Sequence, residues 1–189
     1  MTFYALILFV HVVAVLALFA ALSFEVLSML RLRQASNLTE AHLWIEPVRG
    51  LPLVTIGSVL VIFISGIYLA IRMSAFDLAW PKVTVAALLL IAPLGAMTGR
   101  RMRALRQACA TTKAFNPELL KQLRDPFLKI SLSVRIAVAL GIVLLMVAKP
   151  GWSESLSIVG ASVLLGFLSA LFISRARTSL STPGTHVHG

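Results

Sequence analysis

The chain has 189 residues, of which 59% are hydrophobic and 13% are charged, and its mean hydropathy is +0.94. Charged residues make up about 25% of a typical soluble domain, so this composition excludes a water-soluble protein and indicates an integral membrane protein. The net charge of +10 would suggest nucleic-acid binding in a soluble protein. In a membrane protein such charge reports orientation instead, and no nucleic-acid partner is expected.

The apolar segments predict five transmembrane helices, because each span needs about 20 residues. The predicted spans cover residues 3–30, 52–72, 78–99, 130–148 and 156–174. Residues 175–189 are expected to form a short disordered tail. The predicted fold class is therefore an all-α integral membrane protein, with residues 1–174 in a single five-helix bundle and no extramembrane domain.

Orientation is predicted from the basic residues. Fourteen of the seventeen lysines and arginines fall in the first connection, in the third connection with the nearby Arg135, or in the tail. Because cytoplasmic segments are enriched in lysine and arginine, we expect the amino terminus outside and the carboxyl terminus in the cytoplasm. After the third span, Arg100, Arg101, Arg103 and Arg106 are expected to contact anionic lipid headgroups, at about 1 kcal/mol each. Docking of an acidic partner is the alternative for this cluster.

The first span contains two ionisable residues, His11 and Glu25. Such groups inside a span are costly and indicate function by default. Their separation of 14 residues places them roughly 40° apart around the helix and about 21 Å apart along it, so they need separate explanations. Glu25 is expected to form an ion pair with Arg31, Arg33 or another connection, or to be a hydrogen-bonded carboxylate at the interface.

His11 has three interpretations. It could be a neutral imidazole hydrogen-bonded to a serine, a threonine or a backbone carbonyl of a neighbouring span. It could instead bind a metal, as a ligand to the iron of haem b or to copper, or it could accept a proton. None of the other predicted spans contains a histidine. A six-coordinate haem would therefore need Met146 or Met97, a histidine of another subunit, or an open position.

Small residues at helical spacing predict close helix contacts, because they let backbones approach where lipid supplies no hydrophobic driving force. The contacts could lie within one chain, between copies or with another subunit. Pro93 is expected to kink the third span. The predicted packing residues are Ala17, Ala21, Gly95, Gly99, Ser162 and Gly166.

Four segments carry a resemblance: LFAALSFEVLSMLRLRQA in the first span, SGIYLA in the second, RRMRALRQA after the third and MVAKPGWSESL between the fourth and fifth. The pattern resembles small predicted integral membrane proteins of bacteria with no assigned function. These are loosely similar to the membrane region of copper-resistance D proteins. The resemblance implies a helical bundle in the bacterial inner membrane, with His11 at the position where such bundles carry a histidine.

Catalytic signatures such as HExxH, GxSxG and the phosphate-binding GxxxxGK[ST] are absent from the sequence. The expected function is therefore a non-enzymatic structural or accessory bundle, either freestanding or a subunit of a larger membrane complex. Its expected partners are the lipid bilayer and either further copies of the chain or other membrane subunits. A haem- or copper-binding protein centred on His11 is the first alternative, and a carrier of protons or a small solute is the second.

Overall fold

A computed structural model describes residues 3–32, 34, 40, 43–44, 46–111 and 126–179. All the regular elements in these ranges are helical, with short 3₁₀ turns at Pro47–Gly50 and Ala75–Asp77. Five helices are long and apolar enough to cross a membrane. They are α1 (Phe3–Leu32), α2 (Leu51–Arg72), α3 (Ala79–Thr111), α4 (Pro126–Ala148) and α5 (Trp152–Ser179).

The helices extend beyond several of the predicted spans. The third span is expected to end at residue 99, but α3 continues to Thr111. The basic segment after residue 99 contains no helix-breaking residue. Helix α5 extends to Ser179 and so includes residues 175–179, the first five residues of the predicted tail. In this segment no glycine or proline interrupts the helical sequence before Pro183. Residues 180–189 of the predicted tail lie outside the described residues.

The α4–α5 turn is short because Lys149 adopts a left-handed backbone conformation, with φ of 49°, and Pro150 follows it. The Lys149 amide donates to the Leu145 carbonyl, which closes the last turn of α4. Proline cannot continue that helix, so α5 begins at Trp152. This end of the bundle also holds the start of α1 and the α2–α3 connection, and we refer to it as the His11 end. The opposite end, with the start of α4, is the Arg103 end.

The bundle consists of two units. Helix α1 packs mainly on α2, whereas α4 packs on both α5 and α3. Contact between α4 and α5 is close at Gly166, where an added Cβ atom would lie 2.6 Å from the Cα atom of Val134. A Cβ atom at Gly141 would collide with the Ser162 hydroxyl. The two units meet where Leu18 and other apolar side chains of α1 pack against α4.

Helix α4 is the central helix. Half of the residues in its most apolar 18-residue segment are buried, whereas 22–28% are buried in the corresponding segments of the other four helices. Those four helices expose many large apolar side chains. Leu53 and Leu164 are examples of exposed leucines. A surface this apolar would be unfavourable in water and suits the hydrocarbon core of a bilayer. The five long apolar helices are compatible with a helical integral membrane protein.

Candidate functional site

His11 is held in place by α2. Its Nδ1 atom lies 2.8 Å from the Ser65 Oγ atom. The Ser65 hydroxyl donates to the Val61 carbonyl and lies 3.3 Å from the Ile62 carbonyl. Because a hydroxyl has one hydrogen to give, we infer that the imidazole donates Nδ1–H to Ser65. The Nε2 atom is then the nitrogen with a free lone pair in the neutral ring, and it is the one that a ligand would use.

A cavity of about 580 Å³ lies beside His11 between the two units. Its volume is within the range of roughly 300–1,000 Å³ that is typical of small-molecule sites. The walls are mostly apolar, and the polar side chains are concentrated at the His11 end. Those polar lining residues are Tyr4, His11, Trp80, Lys82, Thr84 and Lys149.

Two residues of the cavity wall each have a hydrogen-bonding atom that is fully buried, that does not face the open space of the cavity and that has no partner among the described residues. These atoms are the Trp80 Nε1 atom and the Thr84 hydroxyl oxygen, both on α3. A buried donor without an acceptor costs about 1–3 kcal/mol. Lys82 and Lys149 line the same cavity, and a lysine ammonium group only donates hydrogen bonds. The arrangement is therefore suited to a ligand whose polar group accepts hydrogen bonds.

A second cavity of about 380 Å³ lies towards the Arg103 end and contains Glu25. Both Glu25 carboxylate oxygens accept hydrogen bonds from Arg135 Nη1 on α4, at 3.2 and 3.1 Å. The side chains are only 8% exposed for Arg135 and 14% exposed for Glu25. The sequence predicts pairing of Glu25 with Arg31, Arg33 or another connection, whereas its partner among the described residues comes from within the fourth span. Arg33 lies outside the described residues. Arg31 instead lies over the Trp44 ring.

The structure separates the two methionines that the sequence offered as second haem ligands. Met146 lines the His11 cavity, as does Met73. Met97 lines neither cavity, and its side chain is 44% exposed. Within the described part of the chain, no group of three or more histidine, cysteine, aspartate or glutamate side chains could hold a metal ion. A site for free copper built from such side chains alone is therefore not present among them.

The predicted packing residues of α5 and α1 have different surroundings. Ser162 and Gly166 lie at the α4–α5 contact, opposite Gly141 and Val134. In α1, Ala21 is buried and Ala17 is half-buried.

The glycines of α3 line the second cavity within this chain, and their predicted helix contact with a further copy or another subunit stays a prediction. Gly95 faces the Arg135 guanidinium group, and nothing lies within 4 Å of a Cβ atom built on Gly99. The missing side chains make room for the cavity and for the Arg135 side chain, rather than bringing another helix backbone of this chain against α3.

The arginines after the predicted third span have different surroundings. Arg101 lies 4.2 Å from the centre of the Phe127 ring. The Arg103 Nε atom donates to the Gly99 carbonyl, and Arg103 lines the second cavity. Arg100 is exposed, and the Arg106 side chain lies outside the described part of the structure. Lipid headgroup contact by this cluster stays a prediction.

Sequence reasoning missed Ser65, Trp80, Thr84 and Arg135 as site residues. Arg135 had been counted with the basic residues that flank the fourth span, although it lies five positions inside the predicted span of 130–148. Its position inside a predicted span could have identified Arg135 as a partner for Glu25. No such signal exists for Trp80 and Thr84, since only the packing of neighbouring helices leaves their donors without acceptors.

Comparison with known proteins provides no relative of this chain. No protein-family model matches the sequence, and no curated protein or solved structure matches it either.

Proposed function

We propose that this chain is a non-enzymatic membrane protein that binds an amphiphilic molecule in the cavity beside His11. The observation that carries the proposal is a largely apolar cavity of about 580 Å³ whose wall includes two lysines, Lys82 and Lys149. A ligand with an apolar body and an acceptor group matches both features, because it buries apolar surface and accepts hydrogen bonds from lysine side chains.

The charge around the cavity favours an anionic acceptor group. Lys82 and Lys149 are the charged residues in the cavity wall, and both are cationic. Lys82 lies over the Trp152 ring at 5.8 Å, which positions its ammonium group at the same end as Trp80. Charge-assisted hydrogen bonds from ammonium groups are roughly twice as strong as neutral ones. The proposed ligand class is therefore an anionic lipid or lipid-like amphiphile.

An accessory role in a membrane complex is compatible with this proposal, since a ligand-binding bundle can be a subunit. A bacterial inner membrane location, with the amino terminus outside, belongs to the proposal on the strength of the charge distribution along the sequence. In that orientation the His11 cavity would open towards the outer leaflet. The similarity to copper-resistance D proteins stays a prediction, and so does copper binding at His11.

Tryptophan fluorescence tests the binding proposal. The chain has three tryptophans, and replacing Trp44 and Trp152 by phenylalanine leaves Trp80 as the sole emitter. Phosphatidylglycerol brominated on its acyl chains is titrated into detergent micelles, and brominated phosphatidylcholine is the zwitterionic control. Brominated stearate, added in a parallel titration, distinguishes a free carboxylate from a phosphodiester.

We expect saturable quenching of Trp80 at a low mole fraction of the anionic lipid and weaker quenching by phosphatidylcholine. The variant that retains only Trp152 reports lipid around the protein, because this side chain is exposed. Equal quenching by anionic and zwitterionic lipids at Trp80, or identical titrations for the Trp80 and Trp152 reporters, would contradict a specific site. Lys149→Gln is expected to weaken quenching by the anionic lipid alone.

Haem binding is the second candidate function, and one observation favours it. The inferred tautomer leaves His11 Nε2 free, and Met146 lines the same cavity, so a histidine and a methionine line one cavity. Lys82 and Lys149 could pair with the propionates. The test is an absorption spectrum of the protein purified from membranes. A Soret band that His11→Ala abolishes would support haem, and its absence after growth with a haem precursor would remove this candidate.

A further inference from the structure

The two cavities are neighbouring parts of one cleft. Three side chains, Ile62 of α2, Leu88 of α3 and Met146 of α4, line both of them. We call these three residues the waist. Each comes from a different helix and each is apolar, so in this structure the waist is an apolar partition between the His11 cavity and the Glu25 cavity.

The cleft extends through the thickness of the bundle. Along α1, Tyr4 lines the first cavity near one end and Glu25 lines the second cavity near the other. These residues are separated by about 32 Å of helix at 1.5 Å per residue. The hydrocarbon core of a bilayer is about 30 Å thick. The two cavities together therefore extend over the distance from one leaflet to the other.

Both ends of the cleft are suited to the same anionic group. The His11 end has the two lysines described above, and the other end has Arg103 and the Arg135 guanidinium, whose charge is shared with Glu25. Between α2 and α3 the cleft is open at the side, because Ile56 and Leu60 line the second cavity and are exposed. An amphiphile can therefore keep its acyl chains in the bilayer while its polar group lies in the cleft.

The waist lies near Pro93 of α3. Pro93 has no amide hydrogen, so the Leu89 carbonyl one turn earlier lacks its usual helical partner. Proline is the commonest cause of a bend within a helix, and this one adjoins Leu88. Movement of α3 at this point would displace Leu88 from the other two waist residues. The side chain of Met146 is itself adaptable, since methionine is unbranched.

From these features we infer that the protein transfers an anionic amphiphile between leaflets along the cleft, and that the waist is the gate. This inference rests on the proposed binding function and adds movement to it. No covalent step is involved, because the ligand leaves chemically unchanged. The Glu25–Arg135 ion pair joins the two units across the cleft and would be the contact that the arriving anion competes with.

A lipid-transfer assay tests the inference. The full chain is reconstituted into phosphatidylcholine liposomes that contain a trace of acyl-labelled fluorescent phosphatidylglycerol, and dithionite bleaches the label in the outer leaflet. We expect the inner-leaflet label to become accessible in the presence of the protein. Leu88→Phe should slow this transfer at least about tenfold, which corresponds to about 1.4 kcal/mol on the barrier, and Leu88→Ala should speed it. Leu89→Phe is the matched control, because Leu89 is 66% exposed and lies outside both cavities.

The outcomes separate the two proposals. Quenching of Trp80 without any transfer above that of empty liposomes would overturn the transfer inference and leave binding intact. Equal slowing by Leu88→Phe and Leu89→Phe would overturn the role of the waist. Absence of both quenching and transfer would remove the binding proposal itself. Pro93→Ala provides a second variant, and we expect slower transfer with unchanged quenching, because a restored helical hydrogen bond stiffens α3 next to the gate.

Discussion

Replacing Thr84 by valine deletes a buried hydroxyl and keeps the shape of the side chain. Thr84 is 6% exposed, and its Oγ1 atom has no partner among the described residues. Valine at this position therefore removes an unpaired polar group without breaking a hydrogen bond. Burying an unsatisfied group costs about 1–3 kcal/mol, and we expect the ligand-free protein to gain stability at the lower end of that range.

Thr98 provides the matched control on the same helix. It is 2% exposed, and its hydroxyl lies 2.8 Å from the Ser131 Oγ atom and donates to the Leu94 carbonyl at 2.9 Å. The same substitution there breaks these contacts. Interhelical hydrogen bonds in membrane proteins average about 0.6 kcal/mol and reach about 1.7 kcal/mol. Thr98→Val should therefore destabilise the protein by about that amount, and the two valine variants should differ in sign.

Unfolding in mixed micelles, with increasing dodecyl sulfate, measures both variants on one scale. Added phosphatidylglycerol is expected to stabilise the wild type and Thr84→Val alike, because the buried Thr84 hydroxyl does not face the cavity. The free energy of unfolding of Thr98→Val should respond to lipid as the wild type does. Destabilisation of the ligand-free protein by Thr84→Val, equal to that of Thr98→Val, would refute the reasoning. It would mean that the Thr84 hydroxyl already has a partner.

Further substitutions test the packing and the ion pair by the same unfolding measurement. Gly166→Ala should cost about 1–3 kcal/mol, because the added methyl group meets the backbone of α4, whereas Gly160→Ala has open space and should be neutral or slightly stabilising. Equal effects of these two would contradict the close α4–α5 contact. Glu25→Gln leaves the Arg135 charge buried and should cost roughly 3–5 kcal/mol, most of which Arg135→Met in the double variant should restore. A double variant no more stable than the single one would contradict the pairing. Ser28→Ala removes another buried, unpartnered hydroxyl and should stabilise by about 1 kcal/mol without altering lipid binding, and a loss of stability would refute it.

The sequence predicted the helical membrane class and the five spans because hydropathy is a property of each segment alone. It also predicted that His11 and Glu25 do not contact each other, since helix geometry fixes their spacing. Partners were harder to predict because they depend on which helices become neighbours. Arg135 lies 110 residues from Glu25, and many other lysines and arginines are closer to Glu25 in the sequence.

The glycines of α3 show the same limit. The spacing of Gly95 and Gly99 is typical of a helix contact, and spacing alone does not distinguish a contact from a cavity wall. A small residue allows close approach, but whether a neighbour makes use of it depends on the arrangement of the whole bundle. The open space at Gly99 and the Arg135 guanidinium beside Gly95 are therefore features of the tertiary structure.

The Glu25–Arg135 pair also has a consequence for how the chain enters the membrane. Arg135 lies nine residues after the start of α4, about 14 Å along the helix, and an arginine at the centre of a span costs about 2.5–3.5 kcal/mol during insertion. Its counter-charge is on α1, which is synthesised much earlier. We therefore expect the fourth helix to insert more efficiently when α1 is present beside it. In a glycosylation-based insertion assay, Glu25→Leu should reduce the membrane insertion of α4 in the full chain, and an unchanged yield would show that α4 inserts unaided.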